Sequence, residues 1–74
     1  MKTEEFNRIR TKLGLTQEEI AKVLGLSGKN AVSRIEVGAR NPNKLAAAFL
    51  RLLYNLPSKK AQTLMGLIRK YMET

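Results

Sequence analysis

The stretch from Leu15 to Pro42, LTQEEIAKVLGLSGKNAVSRIEVGARNP, constrains this chain more than any other. Thr16 and Glu19 have the S/T-x-x-E spacing of a capping box, in which each side chain satisfies the other residue's backbone N–H. Leu15 and Ile20 flank them as a hydrophobic staple. The helix opened there is cut short by Gly25 after about two turns, because glycine enters the left-handed conformation that ends a helix without steric cost. Leu26, Ser27 and Gly28 form a tight connection. Ser27 is the expected N-cap of the next helix, which runs to about Val37 and stops at Gly38. Residues 16–38 therefore spell two short helices joined by a turn.

The second of these helices has two chemically different faces. With Val32 at the centre of the inward side, a step of about 100° per residue places Ile35, Glu36 and Gly28 within about 60° of it. Asn30 and Arg34 fall on the opposite side, with Val37 near them and Ser33 on a flank. The inward face is aliphatic; the outward face is polar and carries one cation.

Three further helices surround this pair. The first is expected to start after Thr3 as N-cap, with Glu4 and Glu5 favouring its N-terminus. It carries Phe6, Ile9 and Leu13 as one apolar stripe and stops at Gly14. A loop from Arg40 to Asn43 leads into a fourth helix, capped by Asn43, with Leu45, Phe49, Leu52 and Leu53 inward. The segment from Asn55 to Ser58 breaks it. Ser58 is the expected cap of a fifth helix reaching about Met72, in which Ala61, Leu64, Met65, Ile68, Tyr71 and Met72 recur at helical spacing. No strand, repeat or linker appears. The chain reads as all-α, a compact five-helix bundle forming one domain over residues 1–74.

Composition narrows what such a bundle can do. The chain has no Cys, no His and no Asp, and its six acids are all Glu. Disulfides, thiolate and imidazole metal sites, and the commonest general base are therefore missing. We expect no catalytic residue, no metal and no cofactor. The net charge of +8 suits a polyanion: DNA, RNA or an anionic membrane. No apolar run spans a bilayer, and the opening MKTEEFNRIR lacks the pattern of a signal peptide, so a cytoplasmic location is expected, associated with the nucleoid if DNA is the partner. The four aromatics put no stacking platform on the outward face of the third helix, which disfavours RNA. The fifth helix is cationic, but the capped helices before it indicate a globular bundle, not a membrane-surface peptide.

Double-stranded DNA is the best remaining match. Arg34 has the donors to bond guanine O6 and N7, and Asn30 the paired donor and acceptor for adenine N6 and N7. Ser33 and Lys29 flank them, within reach of a base or a phosphate. Arg40, Asn41 and Lys44 follow the third helix as phosphate-binding candidates, which set position and read no sequence. Lys22, Arg51, Lys59 and Lys60 read as solvated faces. One such helix reads only a few base pairs, so a homodimer on a palindromic operator is expected. Leu64, Leu67, Ile68 and Tyr71, within the region from Leu53 to Met72, are the candidate dimer surface. The competing assignment for them is closure of the monomer core.

The residues Leu15-Thr16-Gln17-x-Glu19-Ile20-Ala21, Gly25, Ser27, Val32-Ser33-Arg34-x-Glu36-x-Gly38 and Pro42 resemble a known pattern. From about Phe6 to Leu53 the chain is similar to helix-turn-helix regulators of the Cro/lambda-repressor, or Xre, type. The resemblance implies a lambda-repressor-like DNA-binding domain whose helix over about 28–37 reads the major groove. It implies that Gln17 holds a phosphate, a role its backbone N–H at a helix N-terminus also suits. It further implies an ion pair between Glu36 and Arg10. The spacing from Ser27 to Val32 is one residue longer than usual. That variant, Gly28-x-Asn30-Ala31-x-Ser33-Arg34-x-Glu36, looks like the DNA-binding half of MqsA-type antitoxins, in which the Asn and Arg read bases. Their zinc-binding, toxin-neutralising half has no counterpart here, so a toxin or other protein partner is left open. The implied role is a transcriptional regulator, a repressor of phage, plasmid or antitoxin type. The alternative is an adaptor that uses the same fold for protein contacts without reading DNA sequence.

Overall fold

Local hydrogen bonds set the ends of five helices in the computed structural model, which describes residues 1–73. They are α1 (Thr3–Leu13), α2 (Gln17–Leu24), α3 (Lys29–Glu36), α4 (Lys44–Asn55) and α5 (Ser58–Met72), and no strand occurs among the described residues. The α2 start is the capping box of its sequence: Thr16 Oγ1 accepts from Glu19 N–H at 3.1 Å, and Glu19 Oε1 accepts from Thr16 N–H at 2.9 Å. Asn43 caps α4 by accepting from Ala46 N–H at 2.8 Å.

The ends of α1, α2 and α3 share one device. After α2, Gly25 N–H donates to the Lys22 carbonyl and Leu26 N–H to the Ala21 carbonyl, a Schellman pair of bonds. Gly25 sits at φ 69°, where a side chain would be strained. The same paired bonds follow α1, from Gly14 and Leu15, and α3, from Gly38 and Ala39.

Three expected starts differ from the structure. Thr3 is not the N-cap of α1: Phe6 N–H reaches the Lys2 carbonyl, so Lys2 takes that position and Thr3 lies inside the helix. Ser27 does not cap α3. The additional turn residue shifts the start by one, so Gly28 is the N-cap and its carbonyl accepts from Ala31 N–H. Ser58 does not cap α5, because the Pro57 carbonyl accepts from Ala61 N–H and places Ser58 in the first turn.

Packing forms two joined cores. Phe6 and Ile9 of α1, Ile20 and Ala21 of α2, Val32 and Ile35 of α3 and Leu50 of α4 make the larger one. Val23, Leu53, Ala61 and Met65 make the second, which docks α5. Leu13 and Leu15 pack against both. The radius of gyration is 11.4 Å, as expected for a compact chain of this length (about 11 Å), so α5 is folded back onto the bundle.

The inward face of α4 is a correction. Leu45 and Leu52 were expected inside, but they are 79% and 49% exposed. Leu53 is buried as expected, and Ala47 and Leu50 are buried beside it in place of Leu45 and Leu52. Leucines occur on more than one side of α4, so periodicity allows two phases. Packing against α1 selects the phase that turns Ala47, with its small side chain, inward. Arg51, expected to be merely solvated, makes a two-pronged bond to Glu5 on α1, with both contacts at 3.1 Å.

Candidate nucleic-acid interface

The outward side of α3 is built by what its other side must do. Ala31, Val32 and Ile35 are buried against the core, which turns Lys29, Asn30 and Arg34 into solvent. Ser33 is half-buried on the flank. Asn30 and Arg34 are one helical turn apart and share a face. Val37, the C-cap, is 74% exposed.

Glu36 controls the electrostatics near this face. It is the only acid between residues 20 and 72. Its carboxylate is turned inward and bound from two sides. Arg10 Nη2 donates to Oε2 at 3.3 Å, and Gln17 Nε2 donates to Oε1 at 3.2 Å. Arg10 Nε also lies 3.1 Å from Oε1, off the line of a hydrogen bond. The second partner of the guanidinium is the Leu15 carbonyl, which accepts from Nη1 at 3.0 Å. Arg10 and Glu36 are only 24% and 16% exposed, so little water screens the pair. The bracket joins the end of α1, the start of α2 and the end of α3. With Glu36 held there, no carboxylate from residues 20–72 competes for Lys29, Arg34, Arg40 or Lys44.

The remaining predicted residues lie in three places. Arg40, Asn41 and Lys44 are exposed on the loop after α3 and at the α4 start. Gln17 stands at the first position of α2, but its side-chain amide is committed to Glu36. The α5 residues divide: Leu67 and Tyr71 are 49% and 73% exposed, whereas Leu64 and Ile68 are half-buried. Leu64 packs on the second core. Ile68 lines a groove of about 210 Å³ together with Leu45, Phe49 and Met72. Sequence reasoning missed Leu45 as a surface residue. The signal available was a leucine in the first turn of a helix already rich in apolar residues.

A family model described as helix-turn-helix matches residues 7–59. The chain belongs to this helix-turn-helix family, of the Xre or Cro/lambda-repressor type. The family is one of DNA-binding transcription regulators, not of enzymes. The match runs from α1 into the first turn of α5, so the helix-turn-helix pair α2–α3 lies at its centre and most of α5 lies beyond it. No curated protein and no solved structure matches the chain significantly. No helix among the described residues is long and apolar enough to cross a membrane, and no group of potential metal ligands occurs among them.

Proposed function

We propose that this helix-turn-helix protein is a sequence-specific repressor that binds double-stranded operator DNA as a homodimer, with α3 in the major groove. The observation that carries this reading is the pairing of Asn30 and Arg34 on one exposed face whose nearest acid in sequence, Glu36, is bound inward. Arg34 takes guanine and Asn30 takes adenine, each contact contributing about 1–3 kcal/mol of discrimination. Lys29 and Ser33 reach the neighbouring base edge or phosphate. Arg40, Asn41, Lys44 and the Gln17 backbone N–H hold phosphates and set the register. Leu64, Leu67, Ile68 and Tyr71 form the dimer surface, joined by Leu45 and Leu52. The exposure of Leu45, Leu52, Leu67 and Met72 along α4 and α5 supports that role, because the monomer leaves these side chains in water.

Selection from a random duplex pool at near-physiological salt tests the reading. The expected result is an inverted repeat with half-sites one helical turn apart, lost with Arg34→Ala while the melting temperature is unchanged. Retention of DNA without enrichment would mean phosphate affinity alone and would turn attention to a protein-adaptor role.

A further inference from the structure

We propose that Val37 reads the 5-methyl group of a thymine beside the guanine taken by Arg34. The inference rests on the base-reading role of α3 given above and extends it to a third base. Single apolar side chains are common on protein surfaces and ordinarily call for no explanation. Val37 is different because of its phase. It follows Asn30 by seven residues and Arg34 by three, so it lies in the same stripe of the helix. It is 74% exposed, and the inward face of α3 is already supplied by Ala31, Val32 and Ile35.

The position is held firmly. Val37 N–H donates to the Ser33 carbonyl at 3.0 Å. The next two amides, of Gly38 and Ala39, bond back to the carbonyls of Ile35 and Arg34. A Cβ placed on Gly38 would stand 3.5 Å from Thr3 Oγ1, so the helix end leans on the start of α1. A β-branched side chain has restricted χ1 freedom, so its two methyls are presented with little further ordering.

Base chemistry then selects the ligand. In the major groove the thymine C5-methyl is the apolar feature of the base edges, and an aliphatic side chain is its complement. Along the axis, Val37 lies about 4.5 Å beyond Arg34, a little more than one base-pair step of about 3.4 Å. Asn30 lies about 6 Å before Arg34. A helix lying along the groove therefore meets adenine, guanine and thymine in that order over about three base-pair steps.

The test uses the whole chain and the duplex enriched by selection. Each thymine of the half-site is replaced in turn by deoxyuridine, which removes only the methyl group. The expected result is about fourfold weaker binding at one thymine next to the guanine, as for one methyl-sized group lost from an apolar contact. Val37→Ala should bind thymine and deoxyuridine duplexes equally at that position, with its melting temperature unchanged. An enriched operator that tolerates every deoxyuridine would overturn the Val37 assignment and leave the roles of Asn30 and Arg34 standing. An undiminished methyl preference in Val37→Ala would overturn it too. Absence of any enriched operator would remove the base-reading role of α3 itself.

Discussion

α2 and α3 are both eight residues long, bury three residues each and end in the same glycine motif, yet they begin in opposite ways. α2 has a reciprocal side-chain box at its start and two glutamates in its first turn. α3 has no side-chain cap, no acid in its first turn and a glycine at the N-cap. α2 is thus specified locally. α3 is held by what surrounds it: the buried side chains beneath it and the Arg10–Glu36–Gln17 bracket at its far end. The helix proposed to read DNA is the one whose own sequence stabilises it less.

Breaking the bracket should have the largest effect. Arg10→Met leaves Glu36 partly buried with only Gln17 as partner. The expected loss is about 2–3 kcal/mol, below the fully buried value because both side chains keep some contact with water. That corresponds to a melting temperature lower by about 10–20 °C in a domain of this size. Amide exchange should rise first in α3, while α2 keeps its cap. An unchanged melting temperature would mean that α3 owes little to the bracket.

Gly28→Ala addresses the other end of α3. Gly28 has φ 158° and ψ −171°, a region populated almost only by glycine. A Cβ there would meet nothing within 4 Å, so any cost is backbone strain alone. A loss of about 1–3 kcal/mol in denaturant unfolding is expected. A neutral result would show that the turn relaxes and that the α3 start is not pinned.

Two serine and threonine substitutions separate the helices most directly. Thr16→Ala removes the α2 cap and should cost about 1 kcal/mol. Ser27→Ala, one residue before the α3 N-cap, should stay within about 0.5 kcal/mol. Equal losses in thermal melts would erase the distinction between the two starts.

Acid should give the smallest effect, again favouring one helix. Hydrogen bonds from Thr16, backbone first and then side chain, hold the Glu19 carboxyl below its ordinary 4.5. A carboxyl depressed in the folded state stabilises above its unfolded value, and that contribution is lost as pH falls through the folded one. The α2 start should therefore fray below about pH 4.5, seen as faster amide exchange at Glu19 than at Ala31. The Arg51 guanidinium lowers Glu5 in the same direction, so part of the acid response belongs to the α1–α4 contact and is removed by Arg51→Ala.

The same contrast explains what the sequence made legible. The box at Thr16 and Glu19, the Asn43 cap and the glycine stops at Gly14, Gly25 and Gly38 are local chemistry, and they mark their helices correctly. The α3 start was misread because Ser27 has the right residue type, while the true N-cap, Gly28, offers no side-chain signal. The inward face of α4 was misread because its leucines support two phases and only contact with α1 chooses between them. The outward placement of Asn30 and Arg34 followed from periodicity, since α3 has only one face apolar enough to bury. The commitment of the Gln17 amide to Glu36 had no local signal: it depends on residues nineteen positions apart meeting.

The bracket also bears on which partner adjusts during docking. One guanidinium and one carboxylate tie the start of α2 to the end of α3, so the two elements proposed to approach DNA would behave as the fixed jaws of a caliper. On the proposed docking, little conformational search would remain for the protein, and accommodation would fall to the duplex. Sequences whose groove width and twist already suit the jaws, or yield to them cheaply, would then be preferred even at base pairs that no side chain touches.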